Sequence, residues 1–401
     1  MAETTDAVTS TQPQPRGYAS PLLHNLLLLS DRLSRLPNFV LAIYIGVITA
    51  VVIAAWARAT DSIGFGVVAG IGFASFALVD WLILAELPRR RRSFGPVGFA
   101  LIAFTLMRAL FTISAALIEA SPWWTGTFVQ ISNLALTGYV LSTLWGEPFR
   151  LGVTFLTVKS EKLNGAPPLR ILHISDLHIE RRTMREEKLL QLIDELQPDV
   201  IVYTGDLLNF SYLDDIQARS DCRAILDRWR APLGIYAIPG TPLIDTPEIL
   251  ESIYGGLDHI QVLNNETRSI AGYPWVQLIG VTCTHDRALD APQLNRVCAE
   301  TSNEKFSLLL YHSPDLMPEA TEANIDLYLC GHTHGGQVRL PLWGALATSS
   351  IYGKRYEMGR YQKSNTTLYV SRGLGMEGKG APRMRFLCPP EIELIELRGN
   401  E

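Results

Sequence analysis

The chain has 401 residues, 47% hydrophobic and 19% charged, with a formal net charge of −5. It is too long for one ordinary domain, and its mildly acidic balance, with no basic run beyond one short arginine block, argues against a nucleic-acid partner. Cys222, Cys283, Cys298, Cys330 and Cys388 are odd in number and form no C-x-x-C pair, which argues against a disulfide framework and for a reducing compartment.

Read in chain order, residues 1–38 form an N-terminal tail. The first 20 are polar and Pro/Thr-rich, as expected of a disordered segment rather than a cleaved signal. Residues 22–36 carry leucines with Arg32 and Arg35, as expected of a helix lying at a membrane interface. Residues 39–145 are almost uncharged and contain four apolar stretches, 39–57, 63–87, 97–118 and 126–145. Each is close to the ~20 residues that cross a ~30 Å hydrocarbon layer, so four spans are expected.

Arg32 and Arg35 precede the first stretch, and Arg89, Arg90, Arg91 and Arg92 fill the loop after the second. The loop at 120–125 has no Lys or Arg. The positive-inside rule therefore predicts a multi-pass protein of the inner (plasma) membrane, with the N-terminus, the arginine loop and residues 146–401 facing the cytoplasm. Asp80 and Arg108 lie about mid-span. They read either as a functional polar pocket or as a pair joining two helices.

Residues 146–401 have the composition of a soluble enzyme. Apolar, often β-branched runs predict strands at 151–158, 170–174, 200–203, 234–238, 276–281, 306–311, 327–330, 367–370 and 392–397. Residues 184–197 and 216–229 read as amphipathic helices, the first stopped by Pro198. The expected fold class is α/β, with two sheets packed together and helices outside.

Acid and imidazole groups follow several of these runs: Asp176 and His178, Asp206, His312, then His332 and His334. Strand ends in α/β folds converge on one crevice. Residues two apart on a strand face one side, so Asp176 and His178 are poised to grip one ion together, and His332 and His334 face one way across Thr333. Carboxylates and imidazoles brought together there suit Mn, Fe or Zn, with two ions expected.

These motifs resemble the calcineurin-like metallophosphoesterases over about 170–397. So do Gly-Gly-Gln-Val-Arg-Leu-Pro after His334, Ser371-Arg372-Gly373-Leu374-Gly375 and Pro389-Pro390-Glu391-Ile392. The closest likeness is to a membrane-associated bacterial branch, some members of which cleave UDP-2,3-diacylglucosamine. The resemblance implies a four-layer sandwich of two sheets flanked by helices. It also implies that Asp176, His178 and His334 hold one divalent metal, that His312 and His332 hold a second, and that Asp206 bridges them. A water activated between the ions, at Asp206 and His332, would attack phosphorus. Arg339 and Arg372 are candidate phosphate clamps, because guanidinium matches phosphate bidentately.

One motif departs from that family. Where its members read Gly-Asn-His-Asp/Glu, this chain has Gly240-Thr241-Pro242-Leu243. The resemblance assigns the Asn to the second metal, the His to protonation of the leaving group, and the acid to orienting that His. Thr241 can ligate only weakly and Pro242 cannot move a proton. Asp245, His259, His285 and Asp286 are candidate substitutes for the acid. The expected function is a membrane-bound phosphoesterase acting on a lipid-linked or nucleotide-linked phosphodiester or pyrophosphate. The competing reading is a metal-binding pseudoenzyme that senses or scaffolds at the membrane.

Overall fold

The structure, a computed structural model, describes residues 29–30, 32–118, 121–377 and 383–400. The polar tail and most of the expected interfacial helix at 22–36 lie outside the described residues. Four long helices come first: α1 (Asn38–Thr60), α2 (Ile63–Arg89), α3 (Gly98–Ala116) and α4 (Pro122–Leu141). Their outer faces expose large apolar side chains, among them Phe39, Val47, Val68, Leu82, Leu110 and Ile131. Water would disfavour such a surface, whereas hydrocarbon would not.

Among the described residues, only α1, α2 and α3 are long and apolar enough to cross a membrane. This corrects the expectation of four. A helix does form where the fourth span was expected, but it carries Thr125, Thr127, Gln130, Ser132, Asn133 and Thr137, which lower its hydropathy. Part of that polarity faces inward, to Arg108. The Arg108 guanidinium donates to both Asp80 oxygens at 2.6 and 2.7 Å, to the Asn133 carbonyl at 2.8 Å and to Thr137 Oγ1 at 2.8 Å. Asp80 and Arg108 are fully buried and pair with each other, which favours the helix-joining reading.

The chain leaves the bundle through two short turns, Ser142–Gly146 and Glu147–Phe149. The remaining elements are β1 (Gly152–Lys159), β2 (Leu169–Ile174), α5 (Met184–Leu196), β3 (Val200–Tyr203), α6 (Ile216–Leu226), β4 (Ile235–Ala237), α7 (Pro247–Tyr254), β5 (Ile260–Val262), β6 (Glu266–Ile270), β7 (Tyr273–Gly280), α8 (Arg287–Cys298), β8 (Phe306–Leu310), α9 (Met317–Glu322), β9 (Leu327–Cys330), β10 (Arg339–Leu340), β11 (Gly344–Ala345), β12 (Gly359–Lys363), β13 (Thr366–Val370) and β14 (Glu391–Arg398).

Two six-stranded sheets result, ordered β1-β14-β2-β3-β4-β5 and β12-β13-β9-β8-β7-β6. The β2-β3-β4-β5 and β13-β9-β8-β7 runs are parallel, and antiparallel pairs adjoin them. Alternation along each strand sorts its side chains between two cores. Ile171, Val200, Val202, Leu278, Leu308 and Leu329 fill the space between the sheets. Leu172, Ile174 and Ile201 pack under α5 and α6. Leu309, Tyr328 and Leu368 face outward on the second sheet, with Leu294 of α8 and Met317 of α9. This is the expected α/β sandwich of four layers.

Bundle and sandwich are joined at one end of the bundle. The Phe94 amide, in the loop after the arginine block, donates to Glu180 at 2.8 Å, and Tyr212 Oη donates to the Phe94 carbonyl. On the other side of the seam, Met384 and Val338 pack into the cluster of Leu84, Leu101 and Val140, and the Tyr139 and Phe386 rings meet edge-on at 4.7 Å.

Candidate metal centre

The centre is built from loops that leave the carboxyl ends of parallel strands. Asp176 and His178 follow β2, Asp206 follows β3, Thr241 follows β4, His285 follows β7, His312 follows β8, and His332 and His334 follow β9. Tight turns let these loops touch. A Cβ on Gly240 would sit 2.3 Å from both the amide and Oδ1 of Asp206, and one on Gly331 would sit 2.0 Å from Asp176 Oδ2. Neither position admits a side chain. Asp176, His178, Asp206, His332 and His334 all have positive φ, between 42° and 69°. L-residues adopt this region at a cost that surrounding structure must offset, and such outliers concentrate at functional sites.

The donors form two groups. In the first, His178 Nε2 lies 3.0 Å from His334 Nε2 and 3.9 Å from Asp176 Oδ1, and His334 Nε2 is 3.7 Å from Asp176 Oδ1. In the second, ligand atoms of His285, His312 and His332 all lie within 4.8 Å of one another. Asp206 stands between them, its Oδ2 3.6 Å from His178 Nε2 and 3.3 Å from His312 Nε2. Thr241 adds a hydroxyl 3.3 Å from both Asp206 Oδ2 and His312 Nε2. All six candidate ligands are therefore brought together, and Thr241 with them.

Outer partners fix the imidazoles. His312 Nδ1 donates to the Thr204 carbonyl at 2.7 Å; His178 Nδ1 faces the Leu208 carbonyl at 3.3 Å and Glu377 Oε2 at 3.1 Å. Each arrangement turns Nε2 toward the centre, where a cation can take its lone pair in place of a proton. Burial, then the neighbouring His285, holds His332 far below the ordinary imidazole range; burial, then His178, does the same to His334. Burial opposes the charge on Asp206, yet His312 and His178 hold its carboxyl well below the usual range. Burial likewise disfavours charged His312, but Asp206 raises it to about 10. Nitrogen lone pairs pressed together at 3.0 Å, beside two buried carboxylates, are a donor set that divalent cations fit.

The remaining candidates separate. Asp245 accepts from the amides of Gly240 (2.7 Å), Asp206 (2.9 Å) and Leu207 (3.0 Å), so it clamps two loops together. Burial and then Asp206 push it up to about 6. Asp286 caps α8 through the Ala288 amide. His259 lies near the Leu226 carbonyl at 3.4 Å, away from the cluster. His285 alone of the four enters the centre. Its role as a neighbour of the second donor group was missed because nothing in Thr-Cys-Thr-His-Asp marks a ligand loop. Arg339 is engaged by Glu357 at 2.7 Å and Arg372 by Glu391 at 2.5 Å, so both guanidiniums hold structural carboxylates.

Comparison with known proteins agrees with this geometry. Residues 169–340 match the calcineurin-like phosphoesterase superfamily domain. The metallophosphoesterase YkuE of Bacillus subtilis is 33% identical over 262 residues, spanning 63% of this chain and 88% of the relative. The phosphodiesterase YaeI of Escherichia coli is 30% identical over 237 residues, spanning 58% and 84%. The UDP-2,3-diacylglucosamine pyrophosphatase LpxG of Chlamydia trachomatis is 27% identical over 321 residues, spanning 65% and 94%.

Proposed function

Because this chain belongs to the calcineurin-like phosphoesterase superfamily, whose members hydrolyse phosphoric esters, we propose that it is a membrane-anchored phosphoesterase. Its substrate is a lipid-linked or nucleotide-linked phosphodiester or pyrophosphate, cleaved at the cytoplasmic face. The observation that carries the reading is Asp206, whose carboxylate lies between two histidine groups, the first buried and the second partly so. Asp176, His178 and His334 would hold one cation, His312 and His332 a second, with Asp206 shared. Bound there, two ions of manganese, iron or zinc would supply an activated water and neutralise charge on the phosphoryl oxygens.

The chain's own residues set the limits of the chemistry. Pro242 and Leu243 lie exposed at the rim and cannot donate a proton. A leaving group that is already a stable anion needs none, which favours a pyrophosphate over an alkyl ester. Proximity to a bilayer supports a lipid substrate. The Cys388 thiol donates to the His334 carbonyl, and the Arg385 amide, three residues earlier, donates to the Thr143 carbonyl at the end of the bundle. The β10–β11 hairpin, just beyond His334, exposes Leu340, Leu342 and Trp343. The helix Pro122–Leu141 returns along α2 and α3, so the arginine loop and the sandwich meet at one end of the bundle, which supports a shared cytoplasmic side. The relative LpxG is named for a lipid-linked pyrophosphate.

The test is hydrolysis by the purified full chain with Mn²⁺, on an activated phosphodiester and on a UDP-linked lipid pyrophosphate, against Asp206→Ala. Turnover of either that disappears in the variant is expected. Equal background in both proteins would leave the pseudoenzyme reading in its place.

A further inference from the structure

We propose that His285 is a protein ligand of the second cation, filling the place that Thr241 leaves weak. The inference rests on the two-cation reading above, but concerns a residue outside the six ligands inferred from sequence. Three observations carry it.

The first is position. His285 Nε2 is 3.1 Å from Thr241 Oγ1, on the side of the second donor group. Its ring stacks on His332 with centroids 4.4 Å apart and meets His312 edge-on at 6.0 Å. Ligand atoms of His285, His312 and His332 lie within 4.8 Å of one another, and the Asp206 oxygen is 3.3 Å from His312; imidazoles beside a carboxylate are a familiar first-row metal set.

The second is backbone conformation. His285 has φ 60°, in the same left-handed region as Asp176, His178, Asp206, His332 and His334. Among the described histidines, His173 and His259, outside the cluster, have no positive φ, and neither has His312 within it, so the conformation is shared with five of the six candidate ligands. The strain is held in place from both flanks. Thr284 donates to Asp290 through its amide (2.9 Å) and hydroxyl (2.6 Å), Tyr311 donates to the same carboxylate at 2.6 Å, and Asp286 caps α8.

The third is orientation. His285 Nδ1 faces Cys283 Sγ at 3.4 Å. A proton on Nδ1 directed to sulfur leaves the Nε2 lone pair aimed into the cluster, as ligation requires and proton donation to a substrate does not. An imidazole in place of a weak hydroxyl also makes the second site nitrogen-rich. Such a set favours Co, Zn and Fe over Mn.

The test reads the metal itself. The stripped full chain in detergent is titrated with Co²⁺, following ligand-field absorption and cobalt content per chain. Two cobalt ions per wild-type chain are expected. In His285→Ala the second should bind more than about 10-fold more weakly, the least expected even for an outer partner of a ligand. Adding Thr241→Asn to that variant should recover the second ion. His285→Cys, which puts a thiolate ligand at the same position, should give, in folded protein, a thiolate-to-cobalt charge-transfer band absent from wild type. Unchanged second-ion affinity in His285→Ala together with no new band in His285→Cys would overturn the assignment while leaving the proposed hydrolysis intact. If wild type binds no cobalt and hydrolyses nothing, the two-cation reading itself falls.

Discussion

The helical bundle and the sandwich each bury a cluster of charged and polar side chains, and the two differ in how well those groups are satisfied. In the bundle, Arg108 donates to Asp80, Asn133 and Thr137 from regular helix, and both charges have partners at 2.8 Å or less. At the strand ends, five candidate ligands sit in left-handed backbone, two imidazole nitrogens meet at 3.0 Å, and His334 Nδ1 has no hydrogen-bond partner. A satisfied cluster needs nothing further and serves as architecture. A strained cluster with lone pairs turned inward is arranged for something that binds. Ionisable residues buried in a helix bundle invite a functional reading by default, and here the hydrogen bonds favour a structural one.

Substitutions can break or sharpen this contrast. The largest effect is expected at Asp206, which both donor groups share. Asp206→Asn should lower hydrolysis of an activated phosphodiester by about 10³-fold, the scale on which lost transition-state electrostatics act. A similar effect on stability is expected in the bundle, without one on chemistry. Asp80→Ala leaves Arg108 buried without its carboxylate and should cost about 3–5 kcal/mol in denaturant unfolding. Asp80→Leu combined with Arg108→Met should recover most of that loss, and turnover per folded molecule should match wild type throughout. If Asp80→Ala instead abolished turnover in folded protein, the division between architecture and function would fail.

A smaller effect is expected from Thr241→Asn, Pro242→His and Leu243→Asp together. A proton donor is worth about 10²–10⁴-fold. The triple variant should therefore gain about 10²-fold on an alkyl phosphodiester and little on an activated one, as measured by comparing the two rates.

The smallest effect concerns pH. Between the sheets, burial lowers His173 to about 4, and burial with Glu391 raises the Glu393 carboxyl that lies 2.8 Å from it. With its folded pKa depressed, His173 contributes stability that is present above about 6.5 and lost as pH falls toward 4, because the unfolded chain takes up the proton first. The thermal stability of wild type relative to His173→Gln should narrow over that window.

Much of this was legible in the sequence, for identifiable reasons. Strands such as Val200–Tyr203 and Leu327–Cys330 are buried on both faces and read as unbroken apolar runs. The edge strands Glu266–Ile270 and Gly359–Lys363 were missed because they expose polar side chains and lack the pattern. Helix Arg287–Cys298 holds Pro292 and little apolar periodicity. The six candidate ligands were found because each follows a recognisable strand in a short motif. His285 follows β7 just as they do, but it reaches the cluster only through a φ of 60° that no local residue pattern announces. The fourth expected span forms a helix, Pro122–Leu141, whose polar residues lower its hydropathy; of these, Asn133 and Thr137 turn inward to Arg108, a contact between helices that the length of an apolar run does not register.

The most direct test of the whole account is anomalous diffraction from crystals of the full chain grown with Mn²⁺ or Zn²⁺. Two peaks about 3.5–4 Å apart, one on each side of Asp206, are predicted. The first should lie against His178 and His334, and the second against His312 and His332. A single peak, or peaks away from Asp206, would contradict it.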